Sequence, residues 1–224
     1  MNNIFDKADY VKRFVEKGED ENSVYSPMDP PDAYRPPAIN TVPYEELHPV
    51  LQLFTDEHKN TMDQLEVFEN TIQEIRKEGI NKERNTKLGE FFQFLDDKIV
   101  LHNLKEERVL FPLLHDCLLE KGEHSPRGTP ETAVDMLEND HIKMMQLVTL
   151  TFSLMGVSSR LTDPTSRAVL VDIALEQGNS LVELLRLHIF REENVVFPLA
   201  QKHLSADDFA GMVTKMNKYF SVQL

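Results

Sequence analysis

Two stretches of the chain repeat one pattern at the same spacing. HNLKEERVLFPLL begins at His102, and HIFREENVVFPLA begins at His188, 86 residues later. In both, a glutamate follows the histidine four residues on, within a run of apolar residues at helical spacing. Residues four apart lie on the same face of an α-helix, and this face carries the apolar stripe. The pattern therefore requires two helices that each turn a histidine and a glutamate toward a protein core.

Apolar residues at three- and four-residue intervals predict four long helices. Thr129 and Asp163, each followed by a proline, are the expected N-caps of the third and fourth helices. Pro112 and Pro198, in the two FPL tripeptides, are expected to kink or end their helices. Strand signals are nearly absent, so the predicted fold class is all-α, an antiparallel up-down four-helix bundle. The predicted helices run from about Pro43 to Gly79, Lys82 to Lys121, Pro130 to Val157 and Pro164 to His203.

The two ends of the chain lie outside these helices. Residues 26–43 contain six of the twelve prolines and are predicted to form an ordered proline-rich arm, preceded by a short amphipathic helix over residues 5–18. Ser205 begins a capping-box pattern that predicts a short C-terminal helix. The predicted domains are an N-terminal extension of residues 1–43, a four-helix bundle of residues 44–204 and a C-terminal helix of residues 205–224.

The first and third helices each carry one histidine on the inward stripe, His58 and His141. His58 lies 21 residues before the end of the first helix and His102 lies 20 after the start of the second, so both reach the same height. In the second half the corresponding separations are 16 and 24 residues. This difference amounts to about 12 Å along a helix. Either the third helix continues past Val157 toward Arg160 or the connection absorbs the offset.

Four inward histidines and two inward glutamates need polar partners. An unpaired carboxylate in a dry core is strongly destabilising, and neutral imidazoles leave nitrogen atoms unsatisfied. Two metal cations meet both needs, because carboxylates bridge cations, imidazole suits iron, and the positive charge keeps the glutamates ionised. A mixed nitrogen and oxygen shell favours iron or manganese over structural zinc. The residues predict a dinuclear metal site, and the alternative is a metal-free bundle with buried polar pairs.

The order of these motifs resembles the hemerythrin-like family of HHE cation-binding domains over roughly residues 44–204. The matching segments are DEH at 56–58, NDH at 139–141 and the two repeated stretches. The resemblance implies a di-iron site, bridged by an oxo or hydroxo group, in a four-helix bundle. It implies that both glutamates bridge the metals and that the ligands are His58, His102, Glu106, His141, His188 and Glu192.

One position departs from the pattern of oxygen-carrying hemerythrins, which have a second histidine four residues along the third helix. This chain has Met145 there, and Leu137 stands four residues before His141. One iron is therefore expected to have fewer protein ligands and an exchangeable position. Glu138 and Glu69 stay open as sources of an extra carboxylate. His48 is expected to begin the first helix rather than to act as a seventh ligand.

The leading hypothesis is a non-haem di-iron protein that binds dioxygen or a related small oxidant, such as peroxide or nitric oxide. Its role would be sensing, protection or iron handling. The alternative is a di-iron oxidase, peroxidase or oxygenase acting on a small substrate, with a pocket beside the metals. A third hypothesis, also from the resemblance, is iron donation for iron–sulfur repair.

Composition bounds the partners and the compartment. The net charge of −14, from 38 acidic and 24 basic residues, disfavours nucleic acid and anionic lipid, which both need a basic surface. No apolar run approaches the about 20 residues of a membrane span, and the N-terminus lacks the apolar segment of a signal peptide. The single cysteine, Cys117, excludes an internal disulfide. We expect a cytoplasmic protein without a nucleic-acid or membrane partner.

Overall fold

A computed structural model describes residues 42–125 and 129–220 of the chain. Within these two ranges the regular elements are all helical and no β-strand occurs, which confirms the predicted all-α class. None of the described helices combines the length and apolarity needed to cross a bilayer. The predicted helix over residues 5–18 and nearly all of the proline-rich arm lie outside the described residues.

The described chain consists of four long helical segments and a final helix, after a 3-10 turn at Tyr44–Glu46. The second segment, residues 82–121, and the fourth, residues 164–203, are interrupted by π-helical turns, in which the helix widens by one residue. The α-helices are α1 (Pro49–Glu78), α2 (Lys82–Phe94), α3 (Val100–Lys105), α4 (Phe111–Lys121), α5 (Ala133–Ser158), α6 (Pro164–Arg191), α7 (Phe197–His203) and α8 (Ala206–Phe220). The π-helical turns are Leu95–Ile99, Glu106–Leu110 and Glu192–Val196.

The start of the third long helix differs from the prediction. Thr129 is not its N-cap; Thr132 is, because its hydroxyl accepts a hydrogen bond from the Val134 N–H. The Asp135 carboxylate in turn accepts from the Thr132 N–H at 2.7 Å. This reciprocal cap needs an acidic or amide side chain three residues after the cap, which Thr132 has and Thr129 lacks. The predicted cap at Asp163 is confirmed by its bond from the Ser166 N–H.

The offset predicted for the second half is absorbed outside the packed helices. Helix α5 ends at Ser158 and α6 begins at Pro164, so the third helix does not continue to Arg160. Residues 162–169 are all exposed, so the first turns of α6 lie beyond the part that packs against α5. The exposed start of α6 lets the two histidines of this half meet at one height.

Pro112 and Pro198 do not end their helices. Each is the second residue of an α-helix that directly follows a π-helical turn. Proline has no N–H to donate to the carbonyl four residues back, and a π-helical turn shifts the backbone pairing there by one residue. The N–H of the preceding residue, Phe111 or Phe197, bonds to the carbonyl of the glutamate five residues back. The helix therefore continues through both FPL tripeptides.

The apolar core has two parts, and the polar candidate site lies between them. The first part joins the start of α1 to α4, the start of α5, α7 and α8, and the second joins the rest of α1 to α2, the rest of α5 and α6. On α1, for example, Phe54 belongs to the first part, Leu65 to the second, and buried His58 lies between them. Helix α8 closes one end of the first part with Phe209 and Met212. The two apolar regions exclude water from the layer that they enclose.

Helices α1 and α6 approach closely at Gly178. A Cβ atom added there would lie 2.8 Å from Cδ1 of Ile72 and 3.4 Å from the Phe68 ring. Glycine at this position lets the two helices approach without displacing the end of the Ile72 side chain.

Candidate metal centre

All six predicted ligands are buried in the layer between the two apolar regions. Their exposed fractions lie between 0 and 8%. The histidines lie inside α1, α3, α5 and α6, and the two glutamates are the first residues of π-helical turns. The six side chains are His58, His102, Glu106, His141, His188 and Glu192.

The structure brings these residues together as two groups of potential metal donors. The first contains His58, His102 and the two glutamates; the second contains His141, His188 and the same two glutamates. Within each group one donor atom from every residue lies within 4.8 Å of the others. Glu106 and Glu192 are thus shared between the groups, as bridging carboxylates would be.

The imidazole pairs have the spacing of ligands on one ion. The Nε2 atoms of His58 and His102 lie 3.1 Å apart, and those of His141 and His188 also lie 3.1 Å apart. Two nitrogens bound at right angles to one ion, each at about 2.1 Å, would be about 3 Å apart. Both pairs therefore fit a shared cation.

The glutamate oxygens face the same Nε2 atoms. Glu192 lies 2.9 Å from the Nε2 of His58 and 3.0 Å from that of His188. Glu106 lies 3.4 Å from the Nε2 of His102 and 3.6 Å from that of His141. Within residues 42–125 and 129–220, none of the four carboxylate oxygens has a hydrogen-bond partner of acceptable geometry. Orphaned buried oxygens of this kind are expected where a cation completes the site.

Without cations the electrostatics of this layer are in conflict. Burial and the charge of Glu192 raise the pKa of Glu106, because two carboxylates share one dry site. Burial lowers the pKa of His102 and of His188, but the neighbouring carboxylates outweigh it and raise both to about 10. Two bound cations would remove the conflict by ionising both glutamates and displacing the imidazole protons. The residues therefore fit a dinuclear metal site.

Aromatic rings from the FPL tripeptides hold two of the imidazoles in place. Phe197 stacks on His58, with centroids 5.6 Å apart and planes 6° from parallel. Phe111 stacks on His141 at 5.7 Å and 23°. Each FPL tripeptide thus supports a histidine that belongs to the other half of the chain. No role for these phenylalanines was predicted from the sequence.

Four further carboxylates, which were not predicted from the sequence, contact the outer nitrogen, Nδ1, of the imidazoles. Each is adjacent in sequence to a predicted ligand, as in DEH, NDH and the two Glu-Glu pairs, and this adjacency was the available signal. They are Glu57, Glu107, Asp140 and Glu193.

Comparison with known proteins agrees with this geometry. Residues 50–200 match the family described as hemerythrin HHE cation binding domain. The chain belongs to this family. An iron–sulfur cluster repair protein, YtfE from Cronobacter sakazakii, is 24% identical over 158 residues, which cover 70% of this chain and 65% of the relative. The chain thus spans just under two thirds of that relative's length. No solved structure matches the chain significantly.

The expectation that one metal has fewer protein ligands than the other stays a prediction, although the two donor groups of this hemerythrin domain are alike in composition. Each donor group contains two histidines and the same two glutamates. Met145 is 44% exposed, so a histidine at this position would point away from the site. Leu137 is buried in the first apolar region.

The other candidate ligands belong to neither donor group. Neither donor group includes Glu138, Glu69 or His48. Glu69 accepts a hydrogen bond from Arg186 at 2.7 Å. His48 is the N-cap of α1 and stacks on Phe209 with ring centroids 4.0 Å apart, so its expected place at the helix start is confirmed.

Proposed function

We propose that this hemerythrin-family protein is a non-haem di-iron protein that binds dioxygen or a related small oxidant, such as peroxide or nitric oxide. The fold that we propose for it is an antiparallel four-helix bundle over residues 44–204, with an N-terminal extension of residues 1–43 and a terminal helical region of residues 205–224. The proposed iron ligands are His58, His102, Glu106, His141, His188 and Glu192.

The observation that carries the proposal is the sharing of both glutamates by both donor groups. A carboxylate common to two sites is the usual bridge between two cations, and the paired imidazoles supply one nitrogen-rich face to each. The donor set contains nitrogen and oxygen and no thiolate, which favours iron, with manganese as the second choice.

Burial and donor number favour a small ligand. The six donors are at most 8% exposed, so a molecule of a few atoms has easier access than a large organic substrate. Each group offers four protein donors, whereas octahedral ions take about six. The two irons, when bound, would supply the electrons and the coordination positions for the small oxidant. The protein side chains hold the ions, exclude water and fix the imidazoles.

Elemental analysis of the purified protein tests the metal assignment, and we expect two irons per chain. Glu192→Ala removes a donor from both groups and should lose both irons, whereas His102→Ala should lose the iron of the first group. His48→Ala is the matched control, because His48 belongs to neither group. Full iron content in the Glu192→Ala protein would refute the ligand assignment.

Mixing the anaerobically reduced protein with dioxygen, and separately with nitric oxide, tests the ligand class. A stable change of the optical spectrum supports binding. Continuous consumption of dioxygen or peroxide with an added small reductant would favour the oxidase or peroxidase alternative. No spectral change with dioxygen, peroxide or nitric oxide would refute the proposal.

Iron–sulfur repair is the second candidate, because a relative bears that name and its similarity covers 70% of this chain. The test is incubation of the iron-loaded protein with an iron–sulfur protein whose cluster has been damaged by oxidant. Recovery of the cluster spectrum, with loss of iron from the donor, would favour this candidate. Recovery that is equal with the Glu192→Ala protein would exclude it.

A further inference from the structure

The four imidazoles of the proposed centre each face a carboxylate at Nδ1, on the side away from the metal donors. His102 donates to Glu57 at 2.8 Å, His141 to Glu107 at 2.8 Å, and His58 to Glu193 at 2.9 Å. The fourth pair, His188 and Asp140, is longer, and its atoms are 3.8 Å apart.

These carboxylates connect neighbouring helices because of their place next to the ligands. Adjacent helical residues point about 100° apart, so the neighbour of an inward ligand reaches the next helix. Glu57, beside His58 on α1, reaches the second segment, and Asp140, on α5, reaches α6. Glu107 and Glu193 instead join the two halves, because each binds a histidine of the other half. The four contacts together form a closed ring through all four long helical segments.

Two of the four carboxylates also bind a cationic side chain. The Lys105 ammonium, only 7% exposed, pairs with Glu57. Arg191 donates to Asp140 at 2.5 Å. Lys105 and Arg191 occupy the same place in the two repeats, one residue before the shared glutamate. Each cation holds its carboxylate in position beneath the imidazole, so the arrangement is built twice in the chain.

We propose that four carboxylates are positioning residues that hold the imidazoles with Nε2 directed at the two irons: Glu57, Glu107, Asp140 and Glu193. We further propose that the iron position of the second donor group, which contains His188, binds iron more weakly because Asp140 is shorter than glutamate. This inference rests on the proposed function, since it needs iron at the two donor groups. A carboxylate at Nδ1 keeps the proton on that nitrogen, leaves the Nε2 lone pair for the metal and makes the imidazole a stronger ligand.

The difference between the two iron positions follows from the one methylene group by which Asp140 is shorter than Glu57. Glu57 is long enough to reach both Lys105 and His102, with one oxygen on each. Asp140 directs the same oxygen, Oδ2, at both Arg191 and His188, and the shorter distance is to Arg191. As a result, Nδ1 of His188 has no hydrogen-bond partner among the described residues. His188 is thus held less firmly than His102.

Anaerobic titration of the iron-free full-length protein with Fe²⁺, in competition with a chelator, tests the inference. Glu107→Ala and Glu193→Ala should each weaken Fe²⁺ binding roughly 10–100-fold. Glu107→Gln and Glu193→Gln should recover much of the affinity, because the amide oxygen still accepts from Nδ1. Glu66→Ala and Glu183→Ala, exposed glutamates on α1 and α6, are the matched controls and should bind like the wild type.

A reciprocal exchange tests the asymmetry. Asp140→Glu should tighten the weaker of the two Fe²⁺ binding steps roughly 10-fold, and Glu57→Asp should weaken the stronger one by a similar factor. Circular dichroism of the iron-free variants shows that each is folded. If Asp140→Glu overpacks its buried position, Glu57→Asp, on a partly exposed side chain, still gives the answer.

The outcomes distinguish failure of the proposed function from failure of the positioning role. Wild-type protein that binds no Fe²⁺ would refute the proposed function itself. Wild-type protein that binds two Fe²⁺ ions, with alanine variants of equal affinity, would overturn the positioning role alone. Unchanged binding steps in both Asp140→Glu and Glu57→Asp would overturn the asymmetry.

Discussion

Loading of the proposed centre should release protons, and the number follows from the electrostatics of two histidines. Neighbouring carboxylates overcome the effect of burial and raise the pKa values of His102 and His188 to about 10. Both imidazoles are therefore protonated in the iron-free protein at neutral pH. A metal-bound imidazole has given up its Nε2 proton. We expect at least two protons to leave for each pair of Fe²⁺ ions bound.

This proton count fixes the pH dependence of the affinity. From about pH 7 to 9, both histidines stay protonated in the iron-free protein, so the apparent affinity for the iron pair should rise about 100-fold per pH unit. The same shift affects the iron-free fold. A raised pKa contributes stability that is complete below the unfolded value of 6.5 and is lost as the pH rises through about 10. Iron-free protein should thus become less stable at alkaline pH.

Anaerobic calorimetry in two buffers of different ionisation enthalpy measures the proton count at pH 7. His48→Ala is the control, because burial lowers the pKa of His48 and keeps it neutral at pH 7. It should release the same number of protons as the wild type. Release of fewer than one proton per iron pair would show that the free histidines are neutral, and the electrostatic argument would be wrong.

Three further changes probe stability, each measured by urea denaturation of the iron-free protein. Gly178→Ala should change the stability little, because the gain of about 1 kcal/mol in helix propensity offsets the displacement of Ile72 Cδ1, whereas in an Ile72→Val background, which lacks Cδ1, it should stabilise the fold by about 1 kcal/mol; equal effects in both backgrounds would argue against the contact. His48→Asn keeps an N-cap but removes a partly buried histidine whose pKa is lowered by burial, and whose contribution to stability is complete above pH 6.5 and is lost as the pH falls. The stability of this variant should therefore decline less than that of the wild type between about pH 6.5 and 5; parallel profiles would contradict this. Phe197→Ala should cost about 3–5 kcal/mol, against about 0.5 kcal/mol or less for Phe190→Ala, because Phe197 is fully buried and Phe190 is 59% exposed; similar losses would contradict the packing.

The sequence was most informative where one residue spacing indicated both the face of a helix and its burial. The four-residue spacing of His102 and Glu106 placed both on one helix face, and the apolar stripe showed that this face is buried. The repetition of this pattern from His188 gave the second half of the donor set. All of this information is local to single helices, which is why it could be extracted without knowing how they pack.

Contacts between helices were less predictable. The bond from His141 to Glu107 joins residues on different helices, so it depends on helix packing, which residue spacing alone does not define.

Two further features were also not predicted. The choice of Thr132 over Thr129 as N-cap depended on Asp135, a competition that the local pattern at Thr129 did not show. The like composition of the two donor groups was not predicted, because the direction of the Met145 side chain was unknown.

The π-helical turns at Glu106–Leu110 and Glu192–Val196 have a consequence for protein engineering. Each turn accommodates one extra residue, so copying the six donors onto idealised straight rods would rotate everything after the bridging glutamates by about 100°. Phe111 and Phe197 would then swing away from the rings that they support. A synthetic scaffold for this site must therefore either include the two widened turns or omit one residue from each, so that a regular helix keeps Phe111 and Phe197 in phase with the donors.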